Sequence, residues 1–366
     1  MPEEPSLTSS QIVKAILKHP VDTSHKDIRN IRTAARWIPC AVSPFIDLRE
    51  VFKFGMYAEG KLVYTKEGDP YVDPNANIDA DAREEHIQAY QKIFHKIPYL
   101  KSYVIRFEND PEGLGHLSTF IHNCAKAVRG EDINKLKDAV HAFASVRGIS
   151  VDFGGHDGSK ALRGFNHPYS GRLNCPMRDI KEFDRSWESY RDMFDEGLKT
   201  VDHDDWPCHA YKEDMYDPNN IEAGLMKGEF LFSVGRHIYT GKRTANLKTD
   251  GPSKGKGGRA KINHQADVTP EMIAYAAMLA RFSLSSQSSW KTIEGSFDYS
   301  KYHRNVLELF EDLEDPWCVD LLRLYTKRFL SPKPKPERSL ASRRNSDREQ
   351  LKRQRASRRQ STATSS

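Results

Sequence analysis

The sequence predicts a mainly α-helical protein: a multi-helix globular domain with long irregular loops, followed by a disordered basic C-terminal tail. Three observations predict it. Apolar residues recur at a spacing of three to four over most of the chain. Capping residues and prolines stand where several of these stretches begin. Only Leu62 to Thr65 indicates a hairpin or strand, and no repeat of fixed period argues for a solenoid.

Three predicted helices begin at a proline that follows a capping residue. Pro44 follows Ser43, Pro270 follows Thr269, and Pro316 follows Asp315. A side-chain oxygen before the helix can accept from its first N–H groups, and proline favours the first turn. Apolar stripes indicate further helices in residues 28–38 (ended by Pro39), 87–94, 117–124 (ended by Gly130), 133–143, 183–194, 221–239 and 302–313.

Three irregular segments interrupt this helical pattern. Residues 153–176 contain five glycines, and residues 200–220 are acidic and rich in turn-forming residues. The third, residues 241–268, includes a loop from Lys242 to Lys261 with seven Lys/Arg and one acidic residue. Such a basic strap can follow a phosphate backbone, and a solvated insertion is an equal interpretation. Without an aromatic residue it does not indicate a stacking platform for single strands.

Composition divides the chain into three parts. Residues 1–10 are polar and predicted to be disordered, residues 11–330 form the helical globular domain, and residues 331–366 form a disordered basic tail. The tail opens with S-P-K-P-K-P, an extended spacer. It holds 11 Lys/Arg and three Asp/Glu, a net charge of +8, whereas the rest of the chain carries −3. Any affinity for nucleic acid is therefore expected in the tail and in the basic strap.

The tail also contains targeting and modification motifs. Its two basic clusters have the layout of a bipartite nuclear import signal, and they consist of Arg343, Arg344, Lys352, Arg353, Arg355, Arg358 and Arg359. Ser346 and Ser361 each lie two residues after an arginine pair, a spacing that basophilic kinases favour. Nuclear localisation is predicted, with the cytoplasm as the alternative, and both serines are candidate phosphorylation sites.

No membrane span, secretion signal, metal or cofactor is predicted. The longest apolar run, around Ile273 to Ala280, is far shorter than the roughly 20 residues that cross a bilayer. The five cysteines are isolated and form no C-x-x-C pair, which is typical of reduced thiols in a cytosolic or nuclear protein. The densest group of metal-ligand types lacks the paired spacing of a zinc site, and it comprises His203, Asp204, Asp205, Cys208 and His209.

Four strings carry a resemblance to a known family. They are R-G-E-D-I-N-K-L-K from Arg129, S-K-A-L-R-G-F-N-H-P-Y-S-G-R-L-N-C-P from Ser159, E-A-G-L-M-K-G-E-F-L-F from Glu222, and T-P-E-M-I-A-Y-A-A-M-L-A-R-F-S-L-S-S from Thr269. Over roughly residues 30–330 the chain resembles an uncharacterised family of basidiomycete fungal proteins, a domain of unknown function with many copies per genome. The resemblance implies no activity.

The second string lies in the first irregular segment and marks it as the candidate functional loop. The residues of interest there are Asp157, Lys160, Arg163, His167 and Arg172. The glycines before Lys160 resemble a phosphate-binding loop, but the order of Ser and Lys and the missing strand argue against one. The alternative is an ordered core loop, anchored by Phe165, Tyr169 and Leu173, in which Arg163 and Arg172 cap helix carbonyls.

The leading functional interpretation is a non-enzymatic nuclear binding protein. Its expected partners are an unknown protein, a nuclear import receptor, and nucleic acid bound weakly and without sequence preference through the tail. One alternative is an enzyme of unrecognised class that uses the loops at residues 153–176 and 200–212. Another is a pure protein-interaction module. A pocket joining Asp157, Arg163, His167 and the 203–209 cluster would favour the enzyme.

Overall fold

The computed structural model describes residues 6–65, 67–71, 78–143, 145–146, 149–150, 160–212, 214–241 and 258–330. Within these ranges the chain forms 14 α-helices and two short hairpins, so the predicted mainly α fold is confirmed. None of the described helices combines the length and the apolar character that crossing a membrane requires.

The named elements in the described N-terminal part of the chain, up to its first hairpin, are helices. Its helices are α1 (Ser9–Ile16), α2 (Lys26–Ala41), α3 (Leu48–Ala58), α4 (Ala80–Lys96), α5 (Pro98–Val104) and α6 (Pro111–Phe143). Two antiparallel strands follow, β1 (Ser145–Val146) and β2 (Ile149–Ser150).

The C-terminal part contains shorter helices and one long buried helix. Its helices are α7 (Pro168–Asn174), α8 (Ile180–Arg185), α9 (Trp187–Asp195), α10 (Glu229–Tyr239), α11 (Arg259–Ile262), α12 (Pro270–Leu284), α13 (Tyr299–Glu308) and α14 (Pro316–Phe329). Between α12 and α13, β3 (Ile293–Glu294) pairs antiparallel with β4 (Phe297–Asp298). Gly295 has φ +60, as a tight turn of this kind requires.

Two helices organise the core. α6 packs against α1, α2, α3, α10 and α12. Every residue of α12 from Glu271 to Leu284 is buried, because α2, α6, α7, α10 and α13 cover it. A helix that is apolar on all sides needs such enclosure. Most of the described buried apolar side chains form one cluster, to which both helices contribute.

Prolines and glycines explain both the successes and the errors of helix prediction. α12 begins at Pro270 and α14 at Pro316, as predicted, and the Asp315 carboxylate accepts from the first amides of α14. The prediction of a helix start near Pro44 was wrong: α3 begins at Leu48, because Asp47 is its N-cap and accepts from the Arg49 N–H at 3.0 Å.

Two predicted helix ends were also wrong. Pro39 lies inside α2, which continues to Ala41. Gly130 lies inside α6, so the two helices predicted at residues 117–124 and 133–143 are one. A glycine in a helix costs only about 1 kcal/mol relative to alanine. Burial of the turns on both sides, at Val128 and Leu136, outweighs this cost.

The N-terminal segment and the predicted hairpin differ in detail from expectation. α1 begins at Ser9, within the residues expected to be loose, and Thr8 forms a capping box with Gln11. The amides of Ser6 and Leu7 both donate to the Asp27 carboxylate at 2.9 Å. Near Leu62 to Thr65, the only β pairing in the described residues is a single bridge between Tyr64 and Pro70.

Candidate functional site

The candidate loop caps the C-terminal end of α12. The last carbonyls of a helix have no partner within the helix. Here three side chains of the loop supply donors to them. Arg163 Nη1 donates to the Ser283 carbonyl at 2.9 Å, Lys160 Nζ to the Phe282 carbonyl at 2.6 Å, and Asn174 Nδ2 to the Arg281 carbonyl at 3.4 Å.

Arg163 also connects α12 to α6. Its side chain is 1 % exposed, and its Nη2 donates to the Lys137 carbonyl at 2.6 Å and to His141 Nε2 at 3.0 Å. The predicted alternative, in which Arg163 caps helix carbonyls, is therefore correct. Burial lowers the pKa of the Arg163 guanidinium. It remains a cation beside the negative end of a helix dipole.

Lys160 is the second buried cation at this helix end. Its Nζ donates to the carbonyl of Gln287 at 2.7 Å and lies 3.7 Å from the centre of the Phe282 ring. Burial, with repulsion from Arg163, lowers the pKa of Lys160 to about 7. The amine is enclosed by its partners, so it serves the fold and is not presented to a substrate.

The other candidate residues have separate roles. Arg172 forms a bidentate ion pair with Asp184, at 2.7 and 3.0 Å, and caps no helix carbonyl among the contacts described. His167 is the N-cap of α7, and its Nδ1 accepts from the Tyr169 N–H at 3.3 Å. Tyr169 is 41 % exposed and does not anchor the loop, whereas Phe165 is buried. Asp157 lies outside the described residues.

The 203–209 cluster is dispersed over several partners. The carboxylate of Asp204 accepts from Asn305, and that of Asp205 from Arg178. His209 Nδ1 donates to the Leu173 carbonyl at 3.0 Å, and burial lowers the pKa of His209 to about 3. In the described ranges no three His, Cys, Asp or Glu side chains converge as a metal site would require.

The first two irregular segments, at residues 153–176 and 200–220, nevertheless contact each other. Pro176 and Pro207 form an antiparallel β-bridge, with the Met177 N–H donating to the Trp206 carbonyl and the Cys208 N–H to the Cys175 carbonyl, both at 2.9 Å. Backbone hydrogen bonds and buried side chains join these segments. None of the four cavities characterised in the described residues is lined by them.

A buried ionic centre lies elsewhere, between α6, α11 and α12. Arg259 donates from Nη1 and Nη2 to the two carboxylate oxygens of Asp132, both at 2.6 Å. The Tyr275 hydroxyl donates to the same carboxylate at 3.0 Å, and Cys40 Sγ lies 3.5 Å from Arg259 Nη1. Asp132 is 2 % exposed. A buried carboxylate needs partners of this kind to offset its desolvation.

A second ion pair lies one residue away on the surface. Arg36 of α2 donates to both carboxylate oxygens of Glu131 at 2.7 Å. These hydrogen bonds lower the pKa of Glu131 to about 2. Lys135 lies 3.5 Å from the same carboxylate. α2 is thereby joined to α6 beside the buried centre.

The two ion pairs border a cavity of about 610 Å³. It is lined by Thr33, Arg36, Asp132, Lys135, Asp138, His237, Ile238, Gly241, Gly258, Arg259, Ile262 and Asn263. This volume is within the range of small-molecule sites. Burial raises the pKa of the nearby Cys40 thiol to about 11, so that thiol is protonated at neutral pH. The arrangement offers hydrogen bonds and paired charges rather than an activated nucleophile.

Sequence reasoning missed this centre. Asp132 lies four residues after Val128 and four before Leu136, both fully buried, so an acid at this position of α6 faces the core. The predicted helix end at Gly130 placed Val128 and Leu136 in separate helices, so their common spacing with Asp132 was not recognised. Arg259 is one of the seven cations of the basic strap, for which phosphate contact and a solvated insertion were equal interpretations, but its guanidinium is committed to Asp132. Residues 242–257 of the strap lie outside the described residues.

The tail residues also lie outside the described residues. They are Arg343, Arg344, Ser346, Lys352, Arg353, Arg355, Arg358, Arg359 and Ser361. Their predicted roles in targeting, phosphorylation and nucleic-acid binding stay predictions.

The chain was compared with characterised proteins and with known families. Neither the curated proteins nor the solved structures include a match to it. A family model described as a family of unknown function, DUF6698, matches residues 123–329, which is more than half of the chain. The match runs from within α6 to the end of α14 and contains all four strings that carried the resemblance. The chain therefore belongs to the DUF6698 family of unknown function.

Proposed function

We propose that this chain is a non-enzymatic nuclear binding protein, in which the helical domain engages a protein partner and the tail gives weak, sequence-independent affinity for nucleic acid. The proposal rests on the partners of the cationic side chains. Among the residues that the structure describes, the candidate cations Lys160, Arg163, Arg172 and Arg259 have internal partners, while the net positive charge of the chain belongs to the tail.

Four contacts support the internal use of these cations. Lys160 and Arg163 donate to backbone carbonyls at the end of α12, Arg172 pairs with Asp184, and Arg259 pairs with Asp132. A phosphate would have to displace these partners. The residues before position 331 carry −3 overall, so long-range attraction to a polyanion is not expected from them.

The same contacts argue against the enzyme alternative. Catalytic acids and bases are usually presented in a cleft, within reach of a substrate. In the loops at residues 160–176 and 200–212, Arg163 and His209 are buried against carbonyls. The pure protein-interaction module remains the alternative if the tail proves to be only an import signal. The fungal origin and the high copy number implied by the resemblance likewise stay predictions.

The test compares the full chain with a truncation after Leu330 in titrations of duplex DNA at two salt concentrations. Each tail cation that neutralises a phosphate releases a counterion. If about four to eight engage, log K should fall against log salt with a slope of roughly −4 to −7. The truncated protein should not bind measurably. Phosphates on Ser346 and Ser361, each adding about −1.5 to −2 charge, should weaken binding by the full chain.

A matched control separates charge from chain length. Replacement of Lys352, Arg353, Arg355, Arg358 and Arg359 by glutamine keeps the tail while removing five of its 11 cations. It should lower the salt slope, and it should reduce nuclear accumulation of a fluorescent fusion. Equal binding by the full and truncated chains, or affinity that does not depend on salt, would show that the helical domain and not the tail contacts the nucleic acid.

A further inference from the structure

Two cysteines face each other across the bridge that joins the irregular segments. Pro176 pairs with Pro207, so in an antiparallel arrangement the preceding Cys175 lies opposite the following Cys208. The hydrogen bond from the Cys208 N–H to the Cys175 carbonyl, 2.9 Å long, fixes this pairing. No other pair among the five cysteines is opposed across a described β-bridge or ladder.

The pairing gives the two residues the backbone separation of a disulfide. Opposed residues of this kind have Cα atoms about 5.5 Å apart, with both side chains on the same face. Disulfides join Cα atoms about 4.4–6.8 Å apart. Both residues are thiols in this structure. A disulfide between them is therefore compatible with the backbone pairing at this bridge.

The surroundings distinguish the two thiols. Cys208 is 7 % exposed, and its sulfur lies 3.6 Å from Arg172 Nη1. Reactive cysteines lie near cations and are reached by solvent, and Cys208 is the more exposed of the two residues. Cys175 is fully buried, and its thiol donates to the Pro176 carbonyl at 3.5 Å. Burial raises the pKa of Cys175, so it is the less reactive of the two.

We propose that Cys175 and Cys208 are a site of reversible oxidation, at which a peroxide converts the two thiols into a disulfide that links the loop after α7 to the segment before α10. This inference is independent of the proposed binding function, because it rests only on the bridge and on the side chains around it.

The reaction proceeds in two balanced steps. The Cys208 thiolate attacks hydrogen peroxide, and the O–O bond breaks to give a sulfenic acid on Cys208 and hydroxide. The hydroxide is protonated to water. The Cys175 sulfur then attacks the Cys208 sulfur, the S–O bond breaks, and the sulfenic hydroxyl leaves as water with the proton of the Cys175 thiol. In total, two thiols and one peroxide give one disulfide and two waters, and an external dithiol reverses the change.

The disulfide would fix a contact that two hydrogen bonds now hold. His209 and Arg172 are positioned beside this contact, through the Leu173 carbonyl and through Asp184. A cross-link that closes a loop of this size should raise the melting temperature by roughly 5–10 °C. Oxidation would therefore stiffen the part of the domain that supplies the caps of α12.

The experiment treats the full chain with increasing hydrogen peroxide, blocks remaining thiols by alkylation, and maps disulfides by mass spectrometry without reduction. The expected product is a peptide containing Cys175 linked to one containing Cys208, lost on treatment with dithiothreitol. In a Cys175→Ser variant, dimedone should label Cys208 as a sulfenic acid. In a Cys208→Ser variant, dimedone should not label Cys175.

Cys124→Ser is the matched control, because Cys124 is more exposed than either residue of the pair and opposes no other cysteine across a described bridge. This variant should form the linked peptide as the parent chain does. The proposal is overturned if, after the peroxide is removed and the chain is denatured, Cys175 and Cys208 are still alkylated as free thiols at peroxide levels that oxidise Cys124. It is also overturned if the linkage forms only after denaturation. Both of these outcomes are measured on the parent chain, so they do not depend on the folding of a variant.

Discussion

Adjacent carboxylates on α6 offer a direct comparison of a buried and a surface ion pair. Asp132 and Glu131 each receive two hydrogen bonds from an arginine, at 2.6 and 2.7 Å. The Asp132 side chain is 2 % exposed and that of Glu131 is 42 % exposed. Asp132→Asn and Glu131→Gln remove one charge each with almost no change of shape. The two variants therefore differ mainly in burial.

The expected losses of stability differ severalfold. Removing one partner of a buried pair leaves the other charge without compensation, which costs about 3–5 kcal/mol. Arg259 would be left in this state. Because the asparagine carbonyl can still accept a hydrogen bond, we expect Asp132→Asn to lower the free energy of unfolding by about 3 kcal/mol. An exposed pair contributes no more than about 1 kcal/mol, so Glu131→Gln should cost that or less.

The assay is urea unfolding of both variants and the parent chain at neutral pH, followed by circular dichroism at helical wavelengths. A double variant, Asp132→Asn with Arg259→Met, removes both charges and should recover most of the loss. Equal costs for Asp132→Asn and Glu131→Gln would refute the reasoning. So would a double variant less stable than Asp132→Asn alone, since Arg259 would then be stabilising without its partner.

Two further predictions concern packing and pH. At Gly235 of α10 an added Cβ would lie 1.9 Å from the Phe329 ring, whereas at Gly130 of α6 it would meet nothing within 4 Å. Gly235→Ala should therefore destabilise the protein by about 1–3 kcal/mol, and Gly130→Ala should stabilise it by up to about 1 kcal/mol. Urea unfolding measures both. Changes of the same sign in the free energy of unfolding would contradict this. Burial lowers the pKa of His209 to about 3 and of His303 to about 4. The unfolded chain binds these protons from about pH 6.5 downward, so each histidine should cost about 2 kcal/mol of stability between pH 8 and pH 5. His209→Gln and His303→Gln should each remove that loss, and an unchanged pH dependence would show that neither residue is buried neutral.

The sequence predicts the elements whose signals are local. α12 and α14 carry a capping residue, a proline at the first helical position, and apolar residues in the following turns, all within a short stretch of chain. The end of α2 and the unbroken course of α6 do not follow from such signals. Pro39 and Gly130 are unfavourable in a helix, and only the packing of distant helices makes them tolerable there.

The candidate site illustrates the same limit at the level of side chains. The capping role of Arg163 could be proposed as an alternative, because a cation in a loop between helices often meets a helix end. Its acceptors, the carbonyls of Lys137 and Ser283, could not be named, since they come from two helices far apart in sequence. Asp132 and Arg259 are separated by 127 positions, and no local spacing connects them.

The capping of α12 places an unequal constraint on the residues that take part. Lys160 and Arg163 donate to carbonyl oxygens of Phe282 and Ser283, and every amino acid supplies such an oxygen. Replacing residue 282 or 283 by another amino acid would keep these two hydrogen bonds. Residues 160 and 163 must each keep a long side chain with a donor. For these hydrogen bonds the constraint on sequence is therefore one-sided, and the constraint on Phe282 comes instead from its buried ring, which lies 3.7 Å from Lys160 Nζ.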